Sequence, residues 1–121
     1  MAGRIQRIYI QRLDDSHRTR AARELVRRVH ELSYQHELPY DRIYIRNQKS
    51  LWGSCTSEGT VNLNLNLIQL SGEMIDYVVL HELTHVRIRN HGPHFWSELS
   101  RVCPAARKID RELRRICLTD S

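Results

Sequence analysis

The sequence predicts a single α+β domain over residues 1–121, a small β-sheet packed on a buried helix with further helices at its flanks. Three observations carry that expectation. Short segments alternate apolar and polar residues, the two-residue period of half-buried strands. Longer segments repeat apolar residues every three or four positions, as helices do. One helical segment is apolar on nearly all sides, which is how a helix enclosed by its neighbours reads.

The elements follow in order. Residues 7–10 and 42–45 both read RIYI, and each is a strand candidate. Between them, SHRTRAARELVRRVHELSYQHEL places Ala22, Leu25, Val26, Val29 and Leu32 on one helical stripe, with Asp15 or Ser16 positioned to cap its start. In LWGSCTSEGTVNLNLNL, Ser57-Glu58-Gly59 reads as a turn, and Val61, Leu63 and Leu65 alternate with Asn62, Asn64 and Asn66, predicting a hairpin. GEMIDYVVLHELTHVRIRN is the enclosed helix, with Ile75, Val78, Val79, Leu80, Leu83 and Val86 around it. FWSELSRVC and AARKIDRELRRICL give two more helices, separated at Pro104, which are expected to cover the core without taking part in chemistry.

Composition bounds the function. No apolar run approaches membrane-spanning length. The opening MAGRIQRIYIQR carries arginines where a secretory signal would stay apolar. Cys55, Cys103 and Cys117 are odd in number and form no CxxC pair, so free thiols in a cytoplasmic protein are expected. The balance of 19 Lys and Arg against 14 Asp and Glu, +5 in all, is compatible with a nucleic-acid partner. Much of it falls on helices such as RTRAARELVRR, where it also suits a solvated face.

Chemistry concentrates in HELTHVRIRNHGPHF, from His81 to Phe95. His81 and His85 are one helical turn apart and project from the same face, as two imidazoles must to reach one tetrahedral zinc ion. Glu82 stands about 100° around the helix, able to reach a water on the metal without ligating it. This is the HExxH arrangement of zinc hydrolases. His91 and His94 are both candidates for a third ligand. On an unbroken helix His91 would point about 240° from His85, so the helix has to end between them. Asn90 tolerates a left-handed cap, Gly92 is permissive, and Pro93 disfavours helix before it. The choice is His81, His85 and His91 with a water in the fourth position, one Zn2+ per chain. His94 is left as a candidate transition-state stabiliser, with Tyr77, one turn before His81, as its rival.

RNQKSLWGSC, GTVNLNLNL, DYVVLHELTHV and NHGPHFW stand here in an order and spacing that resembles the YgjP-like metal-dependent hydrolases, over roughly residues 40 to 105. NHGPHF is also similar to the third-ligand segment of SprT or Spartan-type zinc proteases. The resemblance implies a zincin-like fold, metallopeptidase activity, a metal on His91 and a general base at Glu82. Position 94, where the resemblance implies arginine, lysine or glutamate, holds histidine. Metzincin spacing is set aside because Ile88 replaces its glycine. Trp52 and Gly53 are candidates for the substrate-binding wall, with the strand edge offered to an extended peptide; core packing of Trp52 is the alternative. The leading expectation is a zinc metallopeptidase acting on a peptide or protein. Its alternatives are a hydrolase of a non-peptide substrate such as a nucleotide phosphoanhydride, or a nucleic-acid-associated protease.

Overall fold

A computed structural model describes residues 7–119. The elements are β1 (Ile8–Gln11), α1 (Arg18–His36), β2 (Arg42–Arg46), β3 (Gly53–Cys55), β4 (Thr60–Asn64), α2 (Gly72–Arg87), α3 (Pro93–Val102), α4 (Ala106–Leu113) and β5 (Ile116–Thr119), with short 3-10 turns at Asp15–His17 and Leu65–Gln69. Helices and sheets share one core, so the expected α+β class holds. Among the described residues no helix is long and apolar enough to cross a membrane.

The strands differ from expectation in their partners. The two RIYI copies lie in different sheets. β2 runs parallel to β4, which is antiparallel to β3, giving the order β2-β4-β3. β1 instead pairs in parallel with β5, setting Ile8 beside Ile116 and Gln11 beside Thr119. The last predicted helix therefore stops at Leu113, and 116–119 is a strand. Ile116 and Thr119 are β-branched and favour a pleated surface, and the β1 backbone supplies the hydrogen bonds, beginning with Ile8 N–H to Arg115 C=O at 2.7 Å.

The hairpin forms as read. Its turn closes on Gly59, whose φ of 97° is a left-handed conformation that suits glycine. Its alternation ends early, however. After Asn64 the chain enters the 3-10 turn, and Asn64 and Asn66 are buried rather than facing water. Their side-chain amides find partners: Asn64 Nδ2 donates to Gln48 O and Leu51 O, and Asn66 Nδ2 donates to Asn64 Oδ1 and Asn47 Oδ1. Burial of an amide is tolerated when its donors and acceptors are matched in this way.

α1 packs through Ala21, Leu25 and Val29, so the stripe starts one residue before the expected Ala22. Neither Asp15 nor Ser16 is the cap of α1. The N-cap is His17, without a side-chain cap bond, because Asp15–His17 forms a separate 3-10 turn and Ser16 Oγ donates to Asp14. α2 starts at a cap that works: Ser71 Oγ accepts from Met74 N–H at 3.2 Å. Its residues Ile75, Val78, Val79, Leu80 and Leu83 are all buried, against Leu25 and Val29 of α1, Val61 and Leu63 of β4, and Phe95 and Leu99 of α3. This is the enclosed helix that the sequence predicts.

Candidate metal centre

α2 ends at Arg87, two residues past His85. The break is made by Ile88, which is extended (φ −113°, ψ 101°) and donates its N–H to Thr84 O. Asn90 is not a left-handed cap; among the described residues only Glu37 and Gly59 have positive φ. Gly92 is likewise extended, as its position before a proline requires, and Pro93 opens α3 at a position where a missing N–H costs nothing. The result matches what the break was expected to do: the chain folds back over the end of α2.

His91 thereby meets the two histidines of the helix. Its ring centroid lies 5.2 Å from that of His81 and 4.4 Å from that of His85, while His81 and His85 are 5.9 Å apart. Phe95, fully buried, forms the floor. It meets the His81, His85 and His91 rings edge-on at 5.0, 5.4 and 4.8 Å. His85 Nδ1 lies 2.7 Å from Ile88 O, which fixes the proton on Nδ1 and leaves Nε2 as the free lone pair. The pKa of His91 is pushed below its ordinary value, first by partial desolvation and then by the imidazoles of His85 and His81. Glu82 is 5% exposed, with Oε2 3.2 Å from His81 Nδ1.

Three imidazoles so placed suit a divalent metal. Metal–nitrogen bonds of about 2.0–2.1 Å put the ring centroids of a tetrahedral site about 5 Å apart. Among the described residues no three His, Cys, Asp or Glu side chains stand as a finished ligand set. The stacked pair gives the reason. His85 and His91 lie nearly parallel, 19° between planes, whereas a metal sits in the plane of each imidazole it binds. One ring has to turn, and His91, exposed on a loop, is the more accessible of the two.

Beside this cluster lies a cleft of about 130 Å³, lined by Trp52, Gly53, Tyr77, Val78, His81, Glu82, Asp110 and Leu113. Trp52 and Gly53 both line this cleft, and Trp52 also packs against the hydrophobic core, the alternative considered for it. Gly53 is there for space: a Cβ at this position would stand 3.1 Å from Glu82 Cγ. A glycine inside a strand is the signal for such a close approach. Tyr77 is buried, its hydroxyl donates to Asp110 Oδ1 at 2.9 Å, and Asp110 pairs with Arg114. Desolvation first, and the Asp110 bond second, push the phenol pKa well up, so it stays a neutral donor. His94, by contrast, is exposed on the first turn of α3, outside both the ring cluster and the cleft lining.

Phe95 and Asp110 correct the expectation that α3 and α4 carry no part of the site. The spacing of Phe95 from His91 on a new helix was a weak signal, and Asp110 had none. A wider hollow beside Ser33, Tyr34, Glu37 and Arg87 gathers no comparable set of groups.

A buried helix bearing HExxH, a third histidine folded over it and an α+β frame define a metallopeptidase-type domain. The chain belongs to the YgjP-like family, whose metallopeptidase domain matches residues 5–116, and is accordingly a peptidase-type hydrolase. Its fold is similar to the metallopeptidase zymogen abylysin of Pyrococcus abyssi (TM-score 0.63, 24% identity, 77% of this chain and 98% of that one). It is also similar to the metallopeptidase zymogen jannalysin of Methanocaldococcus jannaschii (TM-score 0.61, 26% identity, 74% and 91%). A mutant of Wss1 from Saccharomyces cerevisiae shares the fold (TM-score 0.59, 17% identity, 88% and 93%). No curated protein sequence matches this chain at a significant level.

Proposed function

We propose that this chain is a cytoplasmic zinc metallopeptidase in which His81, His85 and His91 hold one Zn2+ and Glu82 is the general base. The observation that carries the reading is the gathering of those three imidazoles on Phe95 beside a buried carboxylate. When bound, zinc supplies a Lewis acid that lowers the pKa of the attacking water. Glu82 accepts that proton on a carboxylate oxygen and returns it to the leaving amine. Its buried setting beside Gly53 fixes the carboxylate so that little reorganisation is needed on reaction. β3 is the free edge of its sheet and is suited to take an extended peptide by strand addition, with Trp52 and Gly53 forming the wall. His94 joins the proposal as the stabiliser of the developing oxyanion; exposed in the free chain, it acts only once substrate covers the cleft.

The basic side chains are spread over α1, β2 and α4, and Arg27 and Arg28 are tied to Glu24, Glu31 and Asp76, so charge favours no second reading. The deciding experiment compares Glu82→Gln with the parent on peptide and nucleotide substrates. Retained zinc and fold with peptide hydrolysis down by about 10²- to 10⁴-fold is expected. Hydrolysis within a few-fold of the parent would remove Glu82 from the mechanism, and turnover of nucleotides alone would replace the peptidase reading.

A further inference from the structure

The free edge of β3 has an end, and Arg89 stands on it. In the β3–β4 hairpin, Asn64 N–H donates to Trp52 O and Thr56 N–H to Thr60 O, each at 2.9 Å. Hydrogen-bonded pairs alternate along an antiparallel ladder, so Ser54 and Asn62 form the pair between them. Gly53 and Cys55 then turn their backbone N–H and C=O groups away from β4, toward the open side. Of these four groups one is already occupied: Arg89 Nη2 donates to Cys55 O at 3.2 Å. Arg89 Nη1 donates to His85 O at 3.0 Å and contacts Cys55 Sγ at 3.2 Å. The guanidinium thus ties the edge strand to the C-terminal turn of α2 and closes the strand-pairing surface at Cys55.

Its own donors are not exhausted. A guanidinium carries five N–H groups, and three are engaged here, which leaves one on Nε and one on Nη2. Those two lie side by side, the pair that grips a carboxylate in bidentate fashion. Arg89 is exposed, and among the described residues no carboxylate is paired with it.

We propose that Arg89 forms a carboxylate-binding subsite at the Cys55 end of the β3 edge, selecting peptides that place an acidic side chain or a C-terminal carboxylate there. The inference rests on the peptidase reading of the cleft and adds a preference to it. A peptide laid along the edge pairs with Gly53 and with Cys55 N–H, then meets the guanidinium instead of a further strand position. The neutral isostere at that position leaves a fixed cation facing an amide and forfeits the charge-assisted bonds.

The test uses the full zinc-loaded chain and fluorogenic alanine-framed peptides in which each position in turn carries Glu, Gln or Lys, made both as free acids and as C-terminal amides. At one position Glu is expected to exceed Gln in kcat/KM by about 10- to 100-fold. In Arg89→Gln that preference should disappear, so that the Glu and Gln peptides are cleaved at equal rates, and Arg89→Glu should favour the Lys peptide. A preference that follows the free acid and is lost in the amides assigns the carboxylate to the peptide terminus; one that survives amidation assigns it to a side chain. Equal loss for Glu, Gln and Lys peptides in Arg89→Gln would mean that Arg89 only braces the strand, and the proposal would be overturned. Fluorescence anisotropy of the same labelled peptides on Glu82→Gln separates the two layers of inference. An Arg89-dependent preference for Glu in binding, without cleavage by the parent, keeps the subsite and removes the peptidase reading. No such preference in binding or in cleavage removes the subsite.

Discussion

Replacing Gly53 by alanine tests whether the position of Glu82 matters to within a fraction of an ångström. A Cβ there would stand 3.1 Å from Glu82 Cγ, 3.2 Å from Glu82 Oε2 and 3.2 Å from Asn62 O. Comfortable carbon contacts are about 3.5–4.0 Å, so something must yield by roughly 0.4 Å. Asn62 O belongs to the backbone of β4, which is held on both sides by the sheet, so the Glu82 side chain moves. Backbone strain does not contribute, since Gly53 is not among the positive-φ residues. A misplacement of about 1 Å costs about 100-fold in rate; scaled logarithmically, roughly 0.4 Å costs about 6-fold. Overpacking costs about 1–3 kcal/mol, offset by about 0.5–1 kcal/mol from removing a strand glycine, so the melting temperature should fall by only a few degrees. The assay is kcat on a fluorogenic peptide together with zinc content and a thermal melt. Gly92→Ala is the control, because nothing lies within 4 Å of its added Cβ. Turnover of Gly53→Ala within twofold of the parent, or an equal loss in Gly92→Ala, would refute the link between this contact and the chemistry.

Other outcomes follow from the same geometry. His91→Ala should lose most of the zinc, whereas His94→Ala should keep it and lose about 100-fold in turnover; metal analysis and kinetics on the two variants check this, and reversed metal contents would exchange their roles. Tyr77→Phe removes a partly buried hydrogen bond to Asp110 and should destabilise by about 1 kcal/mol, read from denaturant melts. All three cysteines should titrate on denatured, unreduced protein. In the native protein Cys103 should react last, because burial, followed by Asp76 and Glu73, raises its pKa and keeps it as the thiol at neutral pH; rapid reaction would contradict its placement.

Local pattern made much of this molecule legible. The apolar surround of α2, the serine at its start and the turn at Gly59 are written within a few residues of where they act. The third histidine was also within reach, because six residues past His85 only a broken helix returns it to the site. The agent of the break was misread: an extended Ile88 does what Asn90 was expected to do, and side-chain identity alone does not separate those two routes. Partners distant along the chain were not legible at all. Ile116–Thr119 carries helical periodicity inherited from α4, and only the presence of β1 converts it to a strand. Asp110 reaches the cleft because α4 packs on α2, a contact that no spacing announces. The asparagines of the hairpin alternate like solvent-facing residues, yet two of them are enclosed by loops that the period cannot see.

Those enclosed asparagines have a consequence for acid tolerance. Asn64 holds the carbonyls of Gln48 and Leu51, and Asn66 holds Asn64 and Asn47 while accepting from Leu13 N–H and Gln69 Nε2. The segment they anchor leads directly into Trp52 and Gly53. Primary amides neither gain nor lose a proton anywhere in the range where proteins survive. The wall facing Glu82 is therefore hung from groups that are indifferent to acidity. On acidification the wall should keep its shape, so that activity lost in acid returns when neutral buffer and zinc are restored, without a refolding step.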